Sequence, residues 1–310
     1  MINCISCKKQ KLNKIVKIGS QPLSGVFLNK KLKNEKKYPL DLYECGNCKL
    51  VQMKNLKKKD QMFGDTYEYK TSLSKLMTDH IYNKVKKINK KKYLKKNSKI
   101  LDIGSNDGTF LNFFKKDKFK NVIGIEPAKN LRYLNKEKKI DINTAFFNYK
   151  SSFYFKKKYK EFKVITANNV FAHVPNLRDF ALGIKNVLSA DGLFIFEVSY
   201  LKDVLKKLTF DTIYHEHMSY HSLKPLLNFF KSVALEVVDF DLVEAQGGSI
   251  RVYVGHKNSK VKKTKINRQI NIEKKSGLFS TQKYLDYFKR IKSQKNKIKN
   301  LIQKNLKNKR

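Results

Sequence analysis

Lys99-Ile100-Leu101-Asp102-Ile103-Gly104-Ser105-Asn106-Asp107-Gly108-Thr109-Phe110-Leu111 reads as an apolar strand, a glycine-containing turn and the start of a helix. Gly104 and Gly108 allow the backbone to approach a ligand closely. Phe110, Leu111, Phe113 and Phe114 then supply a helical face. The spacing differs from Gly-x-Gly-x-x-Gly and no Gly-Lys-Ser/Thr follows, which excludes a P-loop. Such a turn is a weak signal alone, and the following strands strengthen it. Val122-Ile123-Gly124-Ile125-Glu126-Pro127 is a second apolar strand ending in an acid. The acid lies about 20 residues after the turn, where a carboxylate can accept hydrogen bonds from ribose hydroxyls.

A third strand, Phe162 to Asn168-Asn169, ends in polar residues ahead of Val170-Phe171-Ala172-His173-Val174-Pro175, and Pro175 fits the first turn of the next helix. A fourth runs from Gly192 through Glu197 to Ser199. Ligands of open α/β sheets bind outside the carboxyl ends of the strands, and Asp102, Gly104, Glu126, Asn168, His173 and Glu197 fall at or near such ends. Ala234–Glu244 and Ile250–Gly255, joined through Gln246-Gly247-Gly248, predict an antiparallel hairpin. A hairpin closing an otherwise parallel sheet separates a methyltransferase sheet from a dehydrogenase sheet. Over roughly residues 95–255 the chain resembles Rossmann-like S-adenosylmethionine (SAM) methyltransferases. The resemblance implies a SAM site at Asp102, Gly104, Ser105, Asn106, Gly108, Glu126, Pro127, Asn168 and Asn169. Another nucleotide-binding α/β domain is the alternative.

The only four cysteines, Cys4, Cys7, Cys45 and Cys48, form two Cys-x-x-Cys pairs. Each pair can aim two thiolates at one tetrahedral ion, and four soft ligands point to closed, structural Zn2+. Two local disulfides and a redox pair are the alternatives; neither a secretion signal nor a thioredoxin-like context supports them. The intervening Pro22, Gly25 and Pro39, with short apolar runs, suit a small β-rich knuckle. The net charge of +42 comes almost wholly from lysine spread along the chain. Nucleic-acid readers concentrate charge on one face and use arginine for bidentate base contacts, so the excess reads as solvated faces with no specific nucleic-acid partner. No apolar run approaches the roughly 18–20 residues of a membrane span, and no signal peptide pattern precedes Cys4; a cytoplasmic protein with no membrane partner is expected.

Three of the six histidines lie within seven residues, in Asp211-Thr212-Ile213-Tyr214-His215-Glu216-His217-Met218-Ser219-Tyr220-His221. His217 and His221 could hold a second metal, although the His-Glu-x-x-His spacing is absent; plain packing of polar residues is the other alternative. This segment, Asn169-Val170-Phe171-Ala172-His173, Gln246-Gly247-Gly248-Ser249-Ile250-Arg251 and the paired cysteines together resemble the sugar C-methyltransferases acting on nucleotide-linked keto-deoxysugars. The resemblance implies His217 as the base that removes a proton beside a ketone. Tyr214 and Glu216 would orient the sugar or stabilise the enolate, with His173 as auxiliary donor. A neutral imidazole suits that task near neutral pH, and the enolate oxygen needs hydrogen-bond donors. In the family Tyr67 and Tyr69 lie near the cleft; packing in a linker is the other role open to them.

The expected domains are a zinc-binding module at 1–64, a helical linker at 65–95, the methyltransferase domain at 96–256 and a lysine-rich helical tail at 257–310. Family members continue into a further C-terminal domain, and the tail reads as a remnant or start of one that this chain lacks. Three readings of that lack are open: the chain is truncated or split, a separate polypeptide carrying the domain is a partner beside the nucleotide-sugar substrate, or the acceptor is smaller. Tyr284, Leu285, Phe288, Ile291, Ile298, Leu301, Ile302 and Leu306 recur at helical spacing and require a partner surface. Two other functions are open. A nucleic-acid methyltransferase is disfavoured because the turn after the third strand reads Asn168-Asn169-Val170-Phe171 rather than Asn/Asp-Pro-Pro-aromatic. A non-catalytic SAM-binding remnant is disfavoured by Tyr214, Glu216 and His217.

Overall fold

The computed structural model describes residues 3–24, 34–53, 67–90 and 94–307. Strands β1 (Leu12–Pro22) and β2 (Lys37–Cys45) pair antiparallel, and β3 (Val51–Met53) adds to the other edge of β2. Ile15, Val16, Leu40, Leu42, Val51 and Met53 from all three strands are buried in one cluster. Gly25 and the expected boundary at 64/65 lie outside the described residues. Helix α1 (Lys75–Asn89) starts at Ser74, whose hydroxyl accepts the Met77 N–H at 3.3 Å, satisfying one of the free donors of a helix start. Ile81, Val85 and Ile88 form its buried stripe, and Lys84 is buried with them.

Strand and helix then alternate: β4 (Lys99–Ile103), α2 (Thr109–Lys116), β5 (Asn121–Ile125), α3 (Arg132–Glu137), β6 (Asp141–Asn143), α4 (Tyr149–Tyr159), β7 (Phe162–Asn168), α5 (Leu177–Val187) and β8 (Leu188–Ser199). The strands pair in parallel in the order β8-β7-β4-β5-β6. Their cores, such as Ile100-Leu101 and Val164-Ile165, are apolar on both faces, as a sheet covered on both sides requires. The chain builds outward from β4 to β6, then returns to build β7 and β8 on the other flank. The switch point, and the crevice it leaves, lies at the carboxyl ends of β4 and β7. At three residues, β6 is too short to show a period, so the strand read third in sequence is the fourth of the parallel set. Pro175 is not in the first helical turn: Asn176 is the N-cap of α5, its side chain accepting the Asp179 N–H at 3.3 Å.

The remainder is α6 (Leu201–Lys207), β9 (Ser219–Tyr220), α7 (Leu223–Ser232), β10 (Leu235–Val243), β11 (Ser249–His256), α8 (Lys263–Lys275) and α9 (Thr281–Lys307). β11 runs antiparallel between β10 and β8 and completes a seven-stranded sheet. The α/β Rossmann-like sheet with an antiparallel terminal hairpin, and a small N-terminal cysteine module, are as expected. Gly248 turns the hairpin at φ +118°, where an added Cβ would meet Asp203 Oδ2 at 2.5 Å. β9 does not join this sheet; it pairs with β3 as the fourth strand of the N-terminal sheet. Among the described residues no helix is long and apolar enough to cross a membrane.

The tail is built into the molecule. Glu273 of α8 is fully buried and accepts from Tyr200 O–H at 2.9 Å, Leu223 N–H at 2.6 Å and Lys224 N–H at 3.2 Å, capping α7. Tyr284 and Tyr287 of α9 bury against the β1–β3 cluster. The partner surface that the apolar spacing requires is therefore the cysteine module of the same chain. The stripe's distal part, Ile298, Leu301, Ile302 and Leu306, is exposed.

Candidate active site

A cavity of about 880 Å³ opens at the switch point. Asp102, Gly104, Ser105, Asn106, Glu126, Pro127, Asn168, Asn169, His173, Tyr214, Glu216 and His217 all line it. Gly108 does not: it is the left-handed N-cap of α2, at φ +77°, and an added Cβ would meet Asn135 Oδ1 and Ile140 Cδ1, each at 2.7 Å. Its glycine serves the packing of the turn rather than close approach to a ligand. Gly104, at φ +71°, faces the cavity, and an added Cβ would strike Val170 Cγ2.

One end of the cavity suits a nucleoside. Glu126 Oε2 accepts the Asn106 N–H at 2.8 Å and Oε1 accepts the Ala128 N–H at 2.9 Å. The carboxylate is fixed, and each oxygen keeps a lone pair for a ribose hydroxyl. Asn106 also holds the segment after Tyr67: its Oδ1 accepts the Thr71 N–H and its Nδ2 donates to the Tyr69 carbonyl, both at 2.8 Å. Tyr67 and Tyr69 both line the cavity.

The floor carries a charge cluster. Burial pushes the Asp102 carboxyl up to about 7, against hydrogen bonds from Thr166 Oγ1 at 2.6 Å and Asn168 Nδ2 at 3.1 Å. Glu197 is buried too, yet His80 Nε2 at 2.6 Å, Lys84 at 3.9 Å and Arg251 Nε at 2.9 Å hold it down at about 2. Lys84 donates to Asn168 Oδ1, and burial lowers its amine to about 8. Sequence reasoning missed His80 and Lys84 because a lysine or histidine on an amphipathic helix is normally solvated. The available signal was that Lys84 falls on the Ile81–Val85–Ile88 face. Six carboxylates line the cavity, and Lys84 is the one lysine or arginine among its described residues.

At the other end, His217 Nδ1 lies 2.7 Å from the Thr212 carbonyl, which can only accept, so Nδ1 carries the proton. Nε2 is then the basic nitrogen, and the Tyr214 hydroxyl donates to it at 3.0 Å. Burial lowers His217 to about 4, leaving the imidazole neutral at pH 7. Burial raises Glu216 to about 7. It also raises the Tyr214 hydroxyl, with Glu216 adding to the effect, so Tyr214 stays protonated. His173 packs beside His217, the ring centroids 5.0 Å apart and the planes tilted by 45°, and burial holds it well below the usual imidazole range. His217 and His221 do not share a helix face. His221 is buried, bonded to Ser219 Oγ at 2.9 Å and packed on Phe171 at 5.2 Å.

The four cysteines converge. Cys4 Sγ lies 3.5 Å from Cys48 Sγ, Cys7 Sγ lies 3.6 Å from Cys45 Sγ, and all four lie within 4.8 Å of one another. Tetrahedral zinc at a Zn–S distance of about 2.3 Å separates its thiolates by about 3.8 Å, so the set fits a closed zinc site. Among the described residues no other histidine, cysteine or carboxylate group of three or more is arranged to hold a metal.

A switch-point cleft with a ribose-type carboxylate, on a sheet closed by an antiparallel hairpin, is the architecture of a SAM-dependent methyltransferase domain. The chain belongs to the methyltransferase-domain family, whose model matches residues 77–239. Residues 4–63 match a zinc binding domain family and residues 244–310 a C-methyltransferase C-terminal domain family. This last match corrects the expectation that the C-terminal domain is missing and supplied by a separate polypeptide: it is part of this chain, with α8 and α9 seated on the other two modules. The C-methyltransferase NovU of Streptomyces niveus is 31% identical over 252 residues, 81% of this chain and 60% of NovU. The chain thus spans about three-fifths of that relative's length. Two solved structures are similar: a SAM-dependent methyltransferase from Anabaena variabilis and one from Clostridium acetobutylicum. The first is 12% identical, covering 58% of this chain and 86% of its own, with a TM-score of 0.47. The second is 14% identical, covering 58% and 91%, with a TM-score of 0.43.

Proposed function

We propose that the protein is a C-methyltransferase that methylates a carbon next to the ketone of a nucleotide-linked deoxysugar, with His217 as base. The observation that carries this is the pair His217–Tyr214: a neutral imidazole whose Nε2 lone pair accepts from a protonated phenol 3.0 Å away, both side chains lining the cleft. The substrate class rests on the resemblance of the Tyr214–Tyr220 segment, and carbon as the acceptor atom is further supported by the relative's being a C-methyltransferase.

SAM, when bound, supplies an electrophilic methyl whose bonding pair stays on sulfur as the methyl leaves. His217 Nε2 takes the proton from the carbon beside the ketone, and the C–H pair becomes the carbon–carbon double bond of an enolate. The Tyr214 hydroxyl, released from Nε2, donates to the enolate oxygen. Glu216 holds a sugar hydroxyl, and His173, beside the imidazole, is an auxiliary donor. The enolate carbon forms the new C–C bond, and the imidazolium returns its proton to solvent. Asp102, Gly104, Ser105, Asn106, Glu126, Pro127, Asn168 and Asn169, which line the cavity, would hold SAM; Gly108 supports the turn that leads into α2. We infer bounds of 1–64 for the zinc-binding module, 65–95 for the helical linker, 96–256 for the methyltransferase domain and 257–310 for the helical tail. Incubation with SAM and a thymidine-diphosphate 4-keto-6-deoxyhexose, read by mass spectrometry, tests this. A carbon-bound methyl is expected, and an oxygen-bound one would refute it.

A further inference from the structure

The zinc knuckle and the acceptor loop share a sheet. β9 follows His217 closely, and its strand partner lies in the N-terminal module, with Tyr220 opposite Val51 and Ser219 opposite Gln52. The pairing reaches one residue further, where the Met53 N–H donates to the Met218 carbonyl at 3.0 Å. Gln52 is fully buried, and its Oε1 accepts the N–H of Ile5, next to the ligand Cys4, at 2.9 Å. The second knuckle is tied in as well, the Cys45 N–H donating to the Leu50 carbonyl at 2.8 Å. The module also grips His215: the Ser24 N–H donates to its Nδ1 at 3.4 Å, and its Nε2–H donates to the Tyr38 carbonyl at 3.3 Å. The residues assigned to SAM stand on the other sheet, at the ends of β4, β5 and β7.

We propose that zinc holds the acceptor half of the cleft. Metal binding at the four cysteines, passed through Gln52 and the β3–β9 pairing, sets the 211–221 loop and with it the imidazole of His217, more than it sets the SAM half, although Cys4, Ile5 and Leu50 share a core cluster with Leu101 and Ile103 of β4 and the Met218 N–H also ties the loop to the Ala172 carbonyl at 2.8 Å. This rests on the reading of 211–221 as the acceptor loop. In a small module, metal-binding free energy is folding free energy. Without the ion the Cys4–Cys7 turn loses its anchor and Gln52 its buried partner. A three-residue strand such as β3 then has too few bonds of its own to hold β9.

The full chain is compared zinc-loaded and chelator-stripped, by hydrogen–deuterium exchange and by calorimetric titration with SAM. Stripping should speed amide exchange in 211–221 and β3 about tenfold or more. Exchange in β4, β5 and β7, and SAM affinity, should change by less than about twofold. Unchanged exchange in 211–221 overturns the proposal, and so does loss of SAM binding in step with the metal. Gln52→Leu is the second arm: it should keep its zinc yet reproduce the faster exchange of 211–221. If it keeps zinc and exchanges like the wild type, the route through Gln52 fails and the proposal with it. Neither readout uses turnover, so failure to methylate a nucleotide sugar would count against the substrate reading alone.

Discussion

His217 owes its usefulness to a backbone carbonyl. With Nδ1–H committed to Thr212, the lone pair on Nε2 has one direction to face, and substrate must displace the Tyr214 hydroxyl from it. His217→Asn should lower kcat by about 10²-fold or more while leaving SAM affinity intact, a split readable by steady-state kinetics and calorimetry. Glu216 gives a pH test. Its folded value of about 7 lies above the roughly 4.3 of an unfolded glutamate, so between these values the folded state holds the extra proton. Stability from this group therefore falls as pH rises through about 4.3 to 7, and is lost above it. Glu216→Gln should raise Tm at pH 8 but not at pH 4, by differential scanning calorimetry. Equal shifts at both pH values would show that Glu216 does not titrate between folded and unfolded states. At this scale the sequence was most legible where residue types are rare: histidine in a lysine-rich chain, four cysteines in two pairs. Lys84 was illegible because one lysine among dozens shows its role only by burial, and Gly108 was misread because a turn glycine looks the same whether it yields to ligand or to Asn135.

Among the elements, α8 carries more than its lysine-rich sequence suggests. Glu273 caps α7 and anchors Tyr200, which follows the last cavity-lining residue of β8. Glu273→Ala strands the buried Leu223 N–H and the Tyr200 phenol, and frees the part-buried Lys224 N–H, and should destabilise the fold by about 2–4 kcal/mol in urea titrations. Glu273→Gln keeps an acceptor oxygen and should cost less. The long strands and the hairpin were readable from period and glycine placement. β6 and β9, of three and two residues, were not: no hydrophobic period exists at that length, and only a neighbouring strand defines them. β9 was seen as chemistry, in Ser219-Tyr220, and not as structure.

The whole molecule brings two sheets together around one cleft, the parallel sheet placing Asp102, Glu126 and Asn168 at its strand ends and the N-terminal sheet pairing with the strand that follows His217. The tail read as an orphan because a helical stripe announces that a partner is needed without naming it; Tyr284 and Tyr287 find theirs in the zinc-binding module. That contact joins residues far apart in sequence and leaves no local pattern. The central claim, carbon methylation driven by His217, is tested most directly with trideuteromethyl SAM and a thymidine-diphosphate 4-keto-6-deoxyhexose, wild type beside His217→Asn. Mass spectrometry with fragmentation should find the labelled methyl on a ring carbon next to the ketone with wild type and almost none with the variant. A label on oxygen, or equal labelling by both proteins, would contradict the account.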